Sequence, residues 1–178
     1  MADQLFNGQR FRLLTLVENF SRESLAIQVG TRLTGDDVVA ALDRVKEARG
    51  CPQSIRVDNG PEFISKAIQS WLKKLQIETL YVTPGSPWEN GFVESFHSRL
   101  RDEFLALEEF ESLRAARTLT QLWKDDYNHH RPHSSLDYQT PAEYAARCVA
   151  PVPEKVPPTA PPSPPLQQHN ETYLTLPS

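Results

Sequence analysis

Short runs of strand-forming residues alternate with stretches that carry apolar residues at helical spacing along residues 1–148, and this alternation restricts the chain to a mixed α/β fold. The order along the chain is β-β-α-β-α-β-α-α, which predicts a mixed sheet flanked by helices. Asn7 and Gly8 are typical of a hairpin turn and precede the first long run, so a further strand, barely present, should come before them. The predicted strands are 11–17, 25–29, 54–57 and 77–82.

Helix-end signals and apolar faces locate four helices. Thr34 and Asp37 have the spacing of an N-terminal cap, and Gly50 is placed to end the same helix. Pro61 suits the first position of the second helix, and residues 86–89 (SPWE) have the pattern of a capping box for the third. The residues expected to face the core are Val38, Val39, Leu42 and Val45; Ile64, Ile68, Trp71, Leu72 and Leu75; Phe92, Phe96, Leu100 and Phe104; and, in a fourth helix over about 113–128, Leu119, Leu122 and Trp123.

Residues 149–178 differ from the rest of the chain in composition, with eight prolines between 149 and 165. Proline cannot donate to a hydrogen-bond ladder, so we expect an extended, disordered tail. The sequence therefore predicts two units, a folded domain over 1–148 and a proline-rich tail over 149–178. The PxxP spacing also suits an SH3-type ligand, but any proline-rich tail shows it.

Charge, hydropathy and cysteine content narrow the functional classes. The net charge of −4 argues against a protein that coats nucleic acid, although an enzyme with one basic face remains open. No stretch approaches the roughly 18 apolar residues of a membrane span and no signal peptide is visible, so we expect a cytoplasmic protein with no membrane partner. Cys51 and Cys148 lie in no CxxC pair, which predicts free thiols.

Two carboxylates, Asp58 and Glu94, are the candidates for chemistry. Asp58 follows the predicted strand 54–57 at a strand-to-helix turn, where ligand sites form in open α/β sheets; the alternative is a turn aspartate that caps the next helix. Glu94 lies about 200° around its helix from Phe96 and so points away from the apolar stripe. It is either a solvated surface glutamate or a carboxylate that faces a site.

A basic residue follows Glu94 on the same face of the third helix. Arg101 is seven residues, nearly two turns, further on, with His97 and Ser98 between them. A carboxylate that grips a metal, followed by a cation, suits a site that holds a divalent ion and a phosphate backbone together. The alternative is a helix surface of mixed charge, which is common.

Three histidines, His129, His130 and His133, cluster after the fourth helix. With no cysteine nearby they do not make a usual zinc set. We expect a packing or DNA-facing role for this segment rather than a metal site.

Longer motifs surround these residues, and through them the chain resembles the IS3-type insertion-sequence transposases, whose catalytic core is shared with retroviral integrases. The interval of 35 residues between Asp58 and Glu94 is the hallmark of that family. The likeness covers nearly all of residues 1–148 and implies a ribonuclease H-like fold. The matching motifs, in order, are 57–63 (VDNGPEF), 83–97 (TPGSPWENGFVESFH), 99–103 (RLRDE), 127–136 (YNHHRPHSSL) and 140–144 (TPAEY).

In this family three carboxylates, two Asp and one Glu, hold two divalent ions for in-line displacement at a phosphodiester. The resemblance assigns Asp58 to the second Asp and Glu94 to the Glu. It thereby implies that both are catalytic and metal-binding residues, with Mg²⁺ or Mn²⁺ as the cofactor. It also implies DNA contacts by Asn59, Arg99, Arg101 and Arg131.

The family's first Asp has no match in this sequence. The resemblance places it on the first strand, a few residues before Met1, so we expect that strand to be largely missing. Asp3 aligns with a different position near the hairpin, and Glu18 lies at the wrong end of a strand. Two carboxylates hold a single ion weakly, because each Mg²⁺ brings two positive charges into a small site. We therefore expect weak metal binding and impaired catalysis.

Two functional classes follow. The first is DNA integration or transposition by the parent family, with this chain inactive or impaired. The second is a non-catalytic module that binds nucleic acid or a transposase and acts as an inhibitor; metal-dependent nicking or joining of DNA distinguishes the two. A ribonuclease H shares the fold, but the 84–94 motif and the interval of 35 argue against it. The expected partners are DNA and either a second copy of the chain or a full-length transposase.

Overall fold

The computed structural model describes residues 1–57, 65–81, 91–149 and 171–175, and for 149 and 171–175 it describes the backbone alone. Within these ranges one mixed sheet is covered by helices on both faces. The strands are β1 (Ala2–Gln4), β2 (Arg10–Glu18), β3 (Ser24–Gly30), β4 (Ser54–Val57), β5 (Glu78–Tyr81) and β6 (Glu171–Thr175). The helices are α1 (Gly35–Arg49), α2 (Lys66–Leu75), α3 (Gly91–Leu100), α4 (Leu113–His129) and α5 (Pro141–Val149), with a π-helical turn at Arg101–Leu105 and a 3-10 turn at Ser134–Leu136.

The sheet is organised around β2, β6 and β4. β3 pairs antiparallel with β2 along one edge. β6 lies antiparallel to β2 and parallel to β4, and β5 pairs parallel with β4. β1 forms a hairpin with the start of β2; in its turn Gly8 has a φ of 81° and donates its N–H to the carbonyl of Leu5 at 2.8 Å. The predicted hairpin and its short first strand are therefore confirmed.

Alternating residues of β2 supply both layers of the core, because successive side chains of a strand face opposite sides of the sheet. Leu14 and Leu16 belong to one buried cluster, whereas Leu13 and Val17 belong to the other. The fold is thus a helix–sheet–helix sandwich. The first cluster also holds Val38 and Leu42 of α1 with Ile68 and Trp71 of α2, and the second holds Phe96 and Leu100 of α3 with Ala116 and Tyr127 of α4.

Most of the predicted strands are confirmed. The runs 11–17, 25–29 and 54–57 lie within β2, β3 and β4, and the run 77–82 overlaps β5. Val82, at the end of the last run, lies outside the described residues. The mixed sheet flanked by helices is therefore the fold class that the alternation indicates.

The predicted cap of α1 is also confirmed. The N–H of Asp37 donates to Thr34 Oγ1 at 3.4 Å, and the N–H of Thr34 donates to the Asp37 carboxylate at 2.8 Å. The hydrogen bonds that the N–H and the hydroxyl of Thr34 donate to this carboxylate hold the pKa of Asp37 below its usual value. Gly50, with a φ of 90°, ends the helix as predicted, because a left-handed backbone suits a residue without Cβ.

The predicted start of α2 is wrong. The helix begins at Lys66, where the Ser65 side chain accepts a hydrogen bond from the N–H of Ile68, and not at Pro61. Residues 58–64 lie outside the described part of the chain, as does the predicted capping box at 86–89. A serine before a run of helix formers competes well with proline as a start signal.

One predicted core residue of α4 is also wrong. Leu122 is 60% exposed, because the buried side of the helix follows Ala116, Thr120 and Tyr127. Leu122 lies about 140° around the helix from Tyr127 and so faces outward. Leu119 and Trp123 pack against the core as predicted.

The prediction of a disordered tail over 149–178 does not hold for six of its residues, since Val149 is the last residue of α5. Glu171–Thr175 form β6 and pair with both β2 and β4. Their sequence, ETYLT, contains the β-branched and aromatic residues typical of strands, but the prolines over 151–165 dominate the composition of the segment. Residues 150–170 and 176–178 lie outside the described ranges, and the division at 148 stays a prediction.

Two expectations from composition concern the surface. Cys51 and Cys148 are exposed free thiols, as predicted. Within the described ranges, no helix combines the length and apolar character that crossing a bilayer requires.

Candidate functional site

The carboxyl end of β4 is flanked by β6 and, beyond it, by β2. Val57 pairs with Leu174 of β6, which pairs with Leu16 of β2. One residue further along β6, Thr175 pairs with Thr15. Adjacent strands lie about 4.8 Å apart, so Thr15 is about two strand spacings from the line of β4.

The predicted catalytic residue Asp58 and the predicted DNA contact Asn59 lie outside the described residues. β4, which leads directly to them, is well fixed by its surroundings. Ile55 and Val57 are each 1% exposed and pack in the cluster shared with α1 and α2. The residue before Asp58 is therefore anchored in the core.

A hydrogen bond joins α3 to β2 at the level of Thr175. Thr15 Oγ1 and His97 Nε2 are 2.9 Å apart, and Thr15 is fully buried. Burial lowers the pKa of His97 to about 4, and the positive charges of the N-terminal ammonium and Arg101 act in the same direction. The imidazole is therefore neutral at pH 7, and its role is to position the helix on the sheet.

Glu94 lies in the first turn of α3, three residues before His97, and its side chain is exposed. Val93 and Phe96 are each 1% exposed, which confirms that Glu94 points away from the apolar stripe. Among the described residues Glu94 has no hydrogen-bond or ion-pair partner. An exposed carboxylate on a helix that is pinned to the sheet is available to bind a cation.

Arg101 begins the π-helical turn that prolongs α3. In this turn the N–H of Ala106 donates to the carbonyl of Arg101 at 2.8 Å, the wider spacing of a π-helix. Arg101 is exposed, and its charge acts on His97. Since His97 also follows Glu94 by about one turn, the three residues share one side of the helix, as the sequence predicts.

A second basic feature is a cavity of about 260 Å³ beside α3, lined by Arg22, Phe92, Arg99, Tyr127 and His133 among others. The Arg22 guanidinium carbon lies 4.2 Å from the centroid of the Phe92 ring, a cation–π contact. Burial lowers the pKa of His133 to about 4, and the charges of Arg99, Arg131 and Arg22 reinforce the effect. Two guanidinium groups, those of Arg22 and Arg99, thus line one cavity, which suits an anion such as a phosphate.

Arg131 differs from the other predicted DNA contacts because it has an internal partner. Its guanidinium forms an ion pair with Glu103 of the π-helical turn, and this hydrogen bond raises the pKa of Arg131. The pair ties the segment after α4 to the end of α3. A DNA phosphate would have to compete with this carboxylate, which weakens the expectation that Arg131 contacts DNA.

The three histidines at and after the end of α4 have different surroundings. His129 Nδ1 lies 2.9 Å from the carbonyl of Asp125, and His130 Nδ1 lies 3.4 Å from the Asp126 carboxylate. His133 is 7% exposed and packs edge-on against a buried tyrosine ring, with centroids 5.0 Å apart. Within the described ranges no group of three or more His, Cys, Asp or Glu residues is arranged to hold a metal.

The other two acidic candidates lie away from the carboxyl end of β4. Asp3 pairs with Phe11, four residues from Thr15 along β2, or about 13 Å. Glu18 is level with Ile55, towards the opposite end of β4. Neither carboxylate takes the position that the family's first Asp would need.

Two residues of the site were not predicted from the sequence. Thr15 is a polar residue inside the apolar run 11–17, and only that contrast marks it. Arg22 lies in the β2–β3 turn with a φ of 62°, and nothing local shows that it reaches α3. Both depend on contacts between segments about 70 to 80 residues apart in sequence, which periodicity cannot show.

Two family models described as integrase core domain match the chain, one over residues 2–87 and the other over residues 75–141. Together they run from β1 to the start of α5. They include Asp58, Glu94 and all four predicted DNA contacts.

Curated insertion-element proteins are similar to this chain. The uncharacterized 31.7 kDa protein of insertion element IS407 from Burkholderia multivorans is 40% identical over 147 residues, which cover 83% of this chain and 53% of the relative. Transposase InsD of insertion element IS2 from Escherichia coli is 27% identical over 146 residues, which cover 78% and 48%. The chain thus spans about half the length of these relatives.

Solved retroviral integrases share the fold. The simian T-cell lymphotropic virus intasome in complex with PP2A regulatory subunit B56 gamma contains a chain with a TM-score of 0.66 and 23% identity, matched over 91% of this chain and 58% of that one. The HTLV-2 integrase catalytic core domain in complex with magnesium gives 0.57 and 19%, over 79% and 88%. Because the two integrase core models together match residues 2–141 and the curated relatives are insertion-element proteins, the chain belongs to the IS3-type insertion-sequence transposases with an integrase-like core, and the solved neighbours show its ribonuclease H-like fold.

Proposed function

We propose that this chain forms the core of a transposase that cleaves and joins DNA with a divalent ion held by Asp58 and Glu94. The observation that carries the proposal is the bond between Thr15 and His97, at 2.9 Å, which fixes α3 beside β2. Asp58 follows Val57 directly in the sequence, and Val57 pairs with Leu174 of β6, next to the Thr175 that pairs with Thr15. Glu94, one turn before His97, then faces the same end of the sheet.

The two carboxylates suit the proposed ion. Mg²⁺ and Mn²⁺ prefer oxygen ligands, and Glu94 is exposed and without a partner among the described residues. When bound, such an ion polarises the phosphodiester and activates the attacking oxygen. The residues of the chain hold Glu94 in place through His97, and Val57, the residue before Asp58, is buried at the end of β4.

We further propose that residues 1–178 by themselves bind this ion weakly and act slowly. The parent family uses three carboxylates, and neither Asp3 nor Glu18 lies near the carboxyl end of β4. Two carboxylates neutralise the charge of one divalent ion but not of two. Weak binding of one ion is therefore the expected state of this polypeptide.

DNA is the proposed partner, and its backbone would lie along α3. Arg99 lines the cavity that it shares with Arg22, and Arg101 begins the π-helical turn that follows α3. Cations placed along a helix bind phosphates without reading sequence. Asn59 beside Asp58, and Arg131 once it leaves Glu103, would add further contacts. We also propose that the chain assembles with a second copy or with a full-length transposase.

The second candidate is a non-catalytic module that binds DNA or a transposase and so inhibits transposition. Two observations favour it: the chain offers two carboxylates where the family uses three, and the cavity beside α3 is lined by Arg22 and Arg99. Such a chain would occupy DNA or a partner without cutting.

An assay of nicking and binding on the same DNA separates the two candidates. Supercoiled plasmid is incubated with the chain and Mn²⁺, and Asp58→Asn, Glu94→Gln and the exposed control Glu111→Gln are compared. The enzymatic proposal predicts slow nicking that requires Mn²⁺, is lost in the first two variants and is kept in the control. DNA binding with nicking no greater than in Glu94→Gln would favour the inhibitor.

A further inference from the structure

Four segments that are distant in sequence converge on the cavity of about 260 Å³ beside α3, which we call the basic cavity. α3 contributes Phe92 and Arg99, and the turn between β2 and β3 contributes Arg22. α4 contributes Tyr127, and the segment after it contributes His133. No aspartate or glutamate is among the described residues that line this cavity. The described part of its wall thus carries positive charge and no negative charge.

Two contacts hold the guanidinium of Arg22 at the basic cavity. Its Nη1 donates to Asn19 Oδ1 at 2.8 Å, and its central carbon lies 4.2 Å from the centroid of the Phe92 ring. The φ of Arg22 is 62°, a left-handed conformation that is uncommon for a residue with a Cβ and that clusters at ligand sites. A cation that the fold already holds in place loses less side-chain entropy when it binds an anion.

His133 adds an uncharged polar group to the same wall. The residue is 7% exposed, and its pKa of about 4 makes the imidazole neutral at pH 7. Its Nε2 is buried and has no hydrogen-bond partner within the described ranges. A neutral imidazole carries one N–H donor, and a buried polar atom without a partner is costly. A ligand oxygen beside the ring would provide the missing partner.

The charges around His133 favour a negatively charged ligand. Arg99, Arg131 and Arg22 all lower the pKa of this imidazole, and within the described structure no carboxylate opposes them there. Arg131 does so although its guanidinium is paired with Glu103. Guanidinium groups bind phosphate oxygens through charge-assisted and often paired hydrogen bonds. The cavity therefore has the charge and the donors that a phosphate group requires.

The basic cavity and Glu94 lie on different faces of α3. Successive residues of an α-helix are 100° apart, so Phe92 and Arg99, seven residues apart, share one face. Arg99 follows Glu94 by five residues, which places it about 140° further around the helix. His97 and Arg101 lie on the side of Glu94. A phosphate in the cavity is therefore a different one from the phosphodiester at the proposed ion.

We propose that the basic cavity binds one phosphate of the DNA backbone, separate from the phosphodiester that faces Glu94. Arg22 and Arg99 supply the positive charge, and His133 donates a hydrogen bond. Because Nε2 is buried, we expect the ring to turn towards the bound oxygen. The DNA would then be held across α3 at a site that takes no part in the reaction. This inference rests on the proposed function for DNA as the partner.

Inorganic phosphate is the first probe, and the imidazole of His133 reports its binding. The full chain with ¹⁵N-labelled histidine is titrated at pH 7.0, in EDTA and at constant ionic strength, and the ring signals are followed by NMR. We expect a saturable shift of the His133 signals, with at least tenfold weaker binding in Arg22→Gln and in Arg99→Gln. Arg114→Gln is the matched control, at an exposed position of α4 that lies 13 residues, or about 20 Å, from Tyr127.

The control should bind phosphate as the parent chain does. Each variant is first checked for an unchanged unfolding midpoint. The absence of a saturable shift, or the same affinity in the parent and all three variants, would overturn the proposal.

A short DNA duplex identifies the source of the phosphate. Added in place of inorganic phosphate, the duplex should shift the same His133 signals. At constant ionic strength, saturating phosphate should also weaken duplex binding at least threefold. DNA binding that leaves the His133 signals unchanged would overturn the assignment to the DNA backbone.

These measurements use no divalent ion, so they separate the phosphate site from the proposed chemistry. A His133 response without Mn²⁺-dependent nicking would remove the proposed catalysis and support the phosphate site. Nicking without that response would support the catalysis and remove the site.

Discussion

Thr15 and His97 show how one buried polar pair can orient a site. The hydroxyl of Thr15 lies within an otherwise apolar run of β2, where an unpaired oxygen would be costly. His97 satisfies it at 2.9 Å and thereby fixes the rotation of α3 about its axis. With that rotation set, Glu94 is directed outward on one side and Phe96 is buried on the other.

Two histidines, His97 and His133, should make the free energy of unfolding decrease as the pH is lowered. The pKa of His97 and of His133 is lowered from 6.5 to about 4. Between these values the unfolded chain takes up protons that the folded chain does not, so stability is full above about pH 6.5 and is lost as pH falls toward 4. His97 can contribute about 3 kcal/mol over this window, and His133, which lines a cavity open to solvent, contributes less. Urea denaturation at pH 7.0 and pH 4.5 measures the change.

His97→Gln isolates one contribution, because glutamine keeps a hydrogen-bonding group that does not titrate. We expect its free energy of unfolding to depend less on pH than that of the parent chain. His130→Gln, at an exposed position, should leave the pH dependence unchanged. A His97→Gln profile as steep as the parent profile would show that His97 is not buried in its neutral form.

Arg99 should contribute one phosphate contact. In Arg99→Gln we expect weaker DNA binding at low salt and a slope of log K against log salt that is smaller by about 1, because one fewer counterion is released. Lys73→Gln changes an exposed residue of α2, on the opposite face of the sheet, and should alter neither the affinity nor the salt slope. Fluorescence anisotropy over a salt series measures both quantities, and an unchanged slope in Arg99→Gln would remove this residue from the interface.

At the scale of elements, the sequence predicts those helices and strands whose ends and buried faces are determined by neighbouring residues. The Thr34 cap and the alternation along β2 are of this kind. β6 was missed because its partners lie more than 100 residues away and the prolines before it dominate the composition. Thr15 and Arg22 were missed for the same reason, since their roles arise from packing between distant segments. Asp58 and Glu94 are candidates from their local positions, but each position also suits a structural or surface residue, and only the family motifs assign them a catalytic role.

The apolar stripe of α3 should carry much of the stability of its layer. Phe96 is 1% exposed and contacts the rings of Trp123 and Tyr127 at centroid distances of 5.7 and 5.1 Å. We expect Phe96→Ala to lower the free energy of unfolding by about 3 to 5 kcal/mol, through lost burial and the cavity that remains. Leu122→Ala, at an exposed position of α4, should lower the free energy of unfolding by no more than about 0.5 kcal/mol. Chemical denaturation distinguishes them, and similar losses would mean that the packing of α3 or α4 is misassigned.

For the whole molecule, the sheet brings three separated segments to one place. β4 carries the chain to Asp58, α3 presents Glu94, and β6 lies between β4 and β2, to which α3 is bonded. This geometry depends on long-range strand pairing, so the position of Glu94 relative to the end of β4 follows from the assembled sheet rather than from the motif around Glu94. The chain spans about half the length of these curated relatives.

Calorimetric titration with Mn²⁺ tests most directly whether Asp58 and Glu94 share an ion. The parent chain is compared with Asp58→Asn, Glu94→Gln and the exposed control Glu111→Gln, each checked first for an unchanged unfolding midpoint. We predict about one weakly bound ion per chain, with binding lost in both site variants and kept in the control. Binding that survives in either site variant would contradict a shared site.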